Sequence, residues 1–192
     1  QFIPMIENSG MIEELTTLML VQSCEWHRRW KQEGLNLRIS VNVSAHNLTG
    51  PEVADRYEKI LREHGVSPED IILEITESSV MSDTARGLGM LARLRLKGFG
   101  LSVDDFGTGY SSLAQLSQIP FTELKIDYGF VNDSPNQPRK RAVIEASLDL
   151  ARKLNLHVVA EGVESMEEWQ LLAQLGCHFA QGYLISPPVD GD

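Results

Sequence analysis

The sequence predicts an α/β fold of the (β/α)8 barrel type, here incomplete with about six βα units. Strand-type apolar runs alternate with helix-type amphipathic runs along the whole chain. The strands are rich in β-branched residues, as in a parallel sheet covered on both faces. Nearly every strand finishes on a charged or amide side chain: Asn42, Glu74, Asp104 with Asp105, Lys125 with Asp127, Glu161, and Gln181. The 192 residues, 42% hydrophobic and 23% charged, suit one domain with an ample core, so 1–192 reads as a single domain.

The first helix is expected over Ile12–Trp30, where Ile12, Leu15, Leu18, Met19, Trp26 and Trp30 fall near one face and Gly34 follows as a stop. Leu37–Val43 reads as a strand. Pro51 opens a second helix carrying Val53, Tyr57, Ile60 and Leu61, and Gly65 closes it. Ile71–Ile75 is the next strand. Ser82 or Asp83 caps a helix running to Lys97, and Gly98 ends it before the strand Leu101–Asp104. A short helix from about Ser111 leads to the strand Leu124–Ile126. The polar loop Asn132–Pro138 comes next, then a helix from about Arg139 to Leu154 and the strand His157–Ala160. A helix from about Met166 to Leu175 and the strand Phe179–Leu184 complete the series.

The element count fits a doubly wound open sheet as well as a barrel; the polar strand ends discriminate. In an open sheet they would spread along a line, since neighbouring strands lie about 4.8 Å apart. In a barrel they converge on one mouth. A single polar tip reads equally well as a solvated strand end or a helix cap, but six in succession favour the barrel.

Seventeen basic against 27 acidic side chains give a net charge of −10, which opposes a broad basic face for DNA or an anionic membrane. No 18-residue uncharged apolar run is present to cross a bilayer, and Gln1–Glu7 does not have the pattern of a signal peptide. Cys24 and Cys177 match no zinc spacing and read as reduced thiols of a cytoplasmic protein. His27, His46, His64, His157 and His178 show no paired ligand spacing, and Gly107-Thr108-Gly109 lacks the ending of a phosphate-binding P-loop.

Glu74, Asp104, Asp105 and Glu161 gathered at one mouth cannot all stay ionised with only Asn42 and Lys125 as partners. Bound hard divalent cations (Mg²⁺, Mn²⁺ or Ca²⁺) would resolve this. Adjacent Asp104 and Asp105 can converge only where the strand ends and turns, and Phe106–Tyr110 supplies that turn. Two metals about 3.5–4 Å apart suit in-line phosphoryl displacement. Lys125 would orient the attacking water or serve as an ion-pair anchor; Glu161 would be a metal ligand or the base.

These residues resemble the EAL-domain family of bacterial cyclic-di-GMP phosphodiesterases. The matching segments are Asn42-Val43-Ser44, Glu74-Ile75-Thr76-Glu77, Asp104 to Ser112, Lys125-Ile126-Asp127, Ala160-Glu161-Gly162-Val163-Glu164 and Gln181-Gly182-Tyr183. The resemblance implies a modified TIM barrel that hydrolyses cyclic di-GMP to linear 5′-pGpG with Mg²⁺ or Mn²⁺, Ca²⁺ being inhibitory. By motif position Asn42, Glu74 and Asp104 would bind a first metal, and Asp104, Asp105 and Glu161 would serve a second. Lys125 would hold the attacking water and Gln181 would support the site by hydrogen bonding. Glu77 would anchor the loop Asp105–Ser112, which in the family couples metal occupancy to dimer contacts, and Asp127 and Glu164 would give further support. A homodimer joined to sensory, receiver or GGDEF-type modules is expected.

The Glu-Ala-Leu strand is absent, and Gln1-Phe2-Ile3-Pro4 resembles the segment just after it. The family's first-metal glutamate and a substrate-binding arginine therefore have no counterpart, which implies weak or absent turnover for this chain. The alternative is a receptor module that binds cyclic di-GMP without cleaving it. Tyr128-Gly129 and Pro187-Pro188 also depart from the family pattern, at positions tied to fine substrate contacts.

Overall fold

The structure is a computed structural model that describes residues 3–44, 47–48, 50, 52–77, 84–109 and 116–191. Among these are α1 (Ile3–Ser9), α2 (Ile12–Gln32), β1 (Ile39–Asn42), α3 (Glu52–Glu63), β2 (Ile71–Thr76), α4 (Thr84–Leu96) and β3 (Gly100–Phe106). After them come β4 (Glu123–Ile126), α5 (Tyr128–Val131), α6 (Pro138–Leu154), β5 (His157–Ala160), α7 (Met166–Leu175) and β6 (Phe179–Ala180). The strands lie in sheet order β1 to β6, the order of the sequence, and the described pairings are parallel. Parallel neighbours require a crossover; among the described elements α3 lies between β1 and β2, α4 between β2 and β3, α5 and α6 between β4 and β5, and α7 between β5 and β6. Pro51, Ser82, Asp83, His46 and the helix expected from Ser111 lie outside the described residues.

Contacts divide the chain into two compact units. The first comprises Gln1–Ile75, Ser79–Leu101 and Ala114–Pro120. Its core is Leu20 and Cys24 of α2, Tyr57 and Leu61 of α3, Ile71 and Leu73 of β2, and Leu94, Phe99 and Leu101, all buried. α2 delivers Ile12, Thr16, Leu20, Ser23, Cys24 and His27 to this core. Of the face expected from the sequence only Ile12 is among them, and Leu18 and Met19 are exposed, so the buried stripe is rotated towards smaller and polar side chains. The ring of His27 lies 3.3 Å from the Asp70 carboxylate.

The second unit comprises Thr76–Ser78, Ser102–Leu113 and Phe121–Asp192. Val103, Leu124, Ile126, Val158 and Ala160 bury one strand layer, and Ile144, Leu148 and Ala151 of α6 cover it. β4 is buried at all four positions, Glu123 and Lys125 included. At β5, the Val158 amide donates to Nδ1 of His178 (3.1 Å) and the Val158 carbonyl faces Sγ of Cys177 at 3.7 Å. These side chains stand in for backbone partners before β6 begins.

Two short helices, α1 and α5, were not expected from periodicity. The last strand is two residues long, ending at Ala180 and not Leu184. The Gly182 carbonyl accepts from Ile185 and Ser186 (3.0 and 3.2 Å), so the chain turns where alternating apolar residues suggested continued extension.

Candidate active site

The site grows from the end of β3. Val103 pairs with Leu124 and Phe106 with Ile126, so three steps on β3 oppose two on β4. The surplus residue makes a bulge, a device that re-aims side chains beside functional sites. Asp105 takes φ +55°, a left-handed conformation costing of order 1–3 kcal/mol for a residue with a side chain. Its amide donates to Oδ1 of Asp104 (3.0 Å) and its carbonyl accepts from Oγ1 of Thr108 (2.8 Å). The two aspartates therefore converge through a bulge within β3, immediately before the strand ends at Phe106 and turns.

Buried Glu77 holds the loop beyond Asp105. Its Oε2 accepts the amides of Gly107 (2.9 Å) and Gly109 (3.4 Å). Gly107 is at φ +98°, and a Cβ there would lie 2.8 Å from the Phe130 ring. Only glycine suits both the backbone angle and that approach.

Glu161 stands immediately after β5, its amide donating to the Ile126 carbonyl at 3.1 Å. Ligand atoms of Asp104, Asp105 and Glu161 all lie within 4.8 Å of one another. Lys125 on β4 is 5% exposed, and its Nζ sits 2.6 Å from Oε1 of Glu161 and 3.5 Å from Oδ1 of Asp104. Three carboxylates thus face one ammonium. Burial, then the charges of Asp104 and Asp127, push the Asp105 carboxyl above its usual range, and Lys125 offsets this only in part. Asp127 caps α5 by accepting the Gly129 amide at 2.8 Å.

The remaining expected residues belong to both units. In the first unit, Asn42 pairs in register with Glu74; Asn42 is exposed and Glu74 is buried. The Val43 amide donates to the Glu74 carbonyl at 2.9 Å. In the second unit, the Gln181 side chain is exposed while its backbone bonds Ala160 and Val163 (2.9 and 3.0 Å). Glu164 is exposed, its amide donating to Glu168. Sequence reasoning did not single out Glu168, although Ser165-Met166-Glu167-Glu168 has capping-box spacing. The box is formed, with Oγ of Ser165 accepting the Glu168 amide.

A family model described as EAL domain matches residues 1–188. The chain belongs to the EAL-domain family. It is 39% identical over 193 residues to the bifunctional diguanylate cyclase/cyclic di-GMP phosphodiesterase MucR of Pseudomonas aeruginosa, covering 100% of this chain and 28% of MucR. Of two further curated relatives it spans 27% and 48% of the length. A solved PaMucR phosphodiesterase–c-di-GMP complex superposes with a TM-score of 0.93 at 39% identity, over 98% of this chain and 77% of that one. A manganese/cyclic-di-GMP complex of Klebsiella pneumoniae BlrP1 gives a TM-score of 0.81 at 27% identity, over 91% of this chain and 43% of that one. This EAL domain is an α/β fold, an incomplete TIM-type barrel with six parallel strands.

The carboxylate group of this EAL domain fits a divalent cation. Its donors are all oxygen, which suits hard ions. Their three negative charges exceed the one Lys125 charge by two, the charge that such an ion supplies. Among the described residues no other group of three His, Cys, Asp or Glu side chains gathers this closely, and no helix is long and apolar enough to cross a membrane.

Proposed function

We propose that this EAL domain hydrolyses cyclic di-GMP to linear 5′-pGpG in bacterial second-messenger signalling. The observation that carries the reading is the Asp104–Asp105–Glu161 carboxylate group with Lys125 inserted between Asp104 and Glu161. Family membership and the cyclic di-GMP complexes of its structural neighbours supply the substrate class.

Asp104, Asp105 and Glu161 would hold Mg²⁺ or Mn²⁺. The bound ions supply charge neutralisation for an anionic diester and acidify a water molecule. Nζ of Lys125, buried among carboxylates, would donate a hydrogen bond to the attacking water. Oε1 of Glu161, already at hydrogen-bond distance from Nζ, accepts the proton that this water releases. Glu77 keeps the loop beyond Asp105 in place through Gly107 and Gly109, Asp127 fixes the turn after β4, and Gln181 and Glu164 support the edges of the site. We further propose that the chain acts as one domain in a cytoplasmic homodimer, joined to sensory, receiver or GGDEF-type modules.

Incubation with cyclic di-GMP and Mn²⁺, then chromatographic separation, tests this. The expected product is pGpG, released at the low rate expected above for this chain, formed only with added metal and suppressed by Ca²⁺. Binding of cyclic di-GMP independent of metal, with no product, would replace the hydrolase by a receptor.

A further inference from the structure

We infer that Glu168 is a positioning residue for Glu161: its carboxylate clamps the loop carrying Glu161 to the loop that follows Lys125. The inference rests on the phosphodiesterase reading and adds a residue to it. Oε2 of Glu168 accepts the amides of Glu164 (2.9 Å) and Ser165 (3.0 Å), just beyond Glu161. Oε1 accepts the amide of Asp133 at 2.7 Å, which lies 35 residues away along the chain. Asp133 ends the segment that starts at Lys125, passes the Asp127 cap and runs through α5.

A helix cap alone does not account for this. The capping box occupies one carboxylate oxygen, and the other bonds a different loop. Glu168 is 3% exposed, and a buried carboxylate is costly unless its oxygens are satisfied. Here three amides satisfy it, and hydrogen bonds to an ionised acceptor are about twice as strong as neutral ones. On the β5 side, the amide of Glu161 itself is held by the Ile126 carbonyl at 3.1 Å. Between Glu161 and the clamp, the Val163 amide is held by the Gln181 carbonyl, and Gly162 (φ +66°) packs against Tyr128 of α5. Glu161 therefore sits between two anchored points. Releasing the Glu168 anchor frees the loop on one side of the 2.6 Å contact between Lys125 and Glu161.

The test compares wild type, Glu168→Gln, Glu168→Asp and Ser165→Ala by Mn²⁺ titration with paramagnetic resonance, by kcat and KM for cyclic di-GMP, and by thermal melting. Both Glu168 variants are expected to weaken Mn²⁺ binding about 10-fold or more, as loss of groups behind metal ligands commonly does. They should lower kcat in step, leaving KM within about twofold. Ser165→Ala removes the cap acceptor but leaves the clamp, so it should lower the melting temperature without changing Mn²⁺ affinity or kcat. Wild-type Mn²⁺ binding and kcat in both Glu168 variants, or equal Mn²⁺ loss in Ser165→Ala, would overturn the inference while leaving the phosphodiesterase intact. A wild type that binds Mn²⁺ but cleaves nothing would sink the enzymatic reading alone, since weakened Mn²⁺ binding in the Glu168 variants would still support the clamp. A wild type that binds no Mn²⁺ would overturn both.

Discussion

Replacing Lys125 by Met separates the two kinds of positive charge at this site. At an effective dielectric of about 20, unit charges 2.6 and 3.5 Å apart attract by about 6 and 5 kcal/mol. Desolvation of a 5%-exposed lysine cancels much of that gross attraction. Breaking a buried ion pair costs about 3–5 kcal/mol, and the low end applies because the Asp104 and Glu161 side chains keep 15% and 20% exposure. A loss of about 3 kcal/mol lowers the melting temperature of a chain this size by about 6–12 °C. Added Mn²⁺ should recover much of this, because Lys125→Met deletes a competing cation and leaves the three carboxylates. Turnover should not recover: losing a donor aimed at the reacting centre costs about 100- to 1,000-fold in kcat. Calorimetric melting with and without Mn²⁺, paired with pGpG release, reads both effects. Wild-type turnover in Lys125→Met, or loss of Mn²⁺ binding, would refute this division of roles.

Asp105→Asn should raise the melting temperature of metal-free protein at neutral pH while abolishing Mn²⁺ binding, because asparagine tolerates the left-handed φ and carries no charge. Asp105's carboxyl is raised, so the wild type is penalised as pH climbs above 3.8 through the raised value; in EDTA the gap to Asp105→Asn should widen over that window, and a closing gap would contradict it. Glu168 shows the opposite sign. Burial raises its carboxyl, but the amides of Glu164, Asp133 and Ser165 outweigh this and hold it below 4.5. Its stabilisation is complete above 4.5 and is lost as pH falls through the depressed value, so acid unfolding should be shallower in Glu168→Gln. Gly107→Ala should cost at least about 1 kcal/mol by denaturant titration, since it meets both a positive φ and the Phe130 ring.

Much of the fold was legible because burial of parallel strands leaves continuous apolar runs, as in Ile71–Ile75 and His157–Ala160, and because α2, α6 and α7 have helical periodicity between clear stops. The short helices α1 and α5 were not legible: seven and four residues hold too few turns for periodicity to register. β6 was overextended because apolar alternation through Leu184 cannot reveal that Gly182 approaches the Val163 backbone. At the site, residue types and order were readable, and the structure brings Asp104, Asp105, Lys125 and Glu161 together. The means of convergence was not, since alternation of strand side chains says nothing of a bulge with Asp105 left-handed. Glu168 had a readable capping-box spacing, but its bond to the Asp133 amide depends on tertiary proximity.

Anomalous diffraction from crystals grown with Mn²⁺ tests the central claim most directly. The account predicts a manganese peak within coordination distance of carboxylate oxygens of Asp104, Asp105 and Glu161, with Nζ of Lys125 beside it and not bound to it. Manganese seated elsewhere, or no peak among these three carboxylates at saturating Mn²⁺, would contradict it.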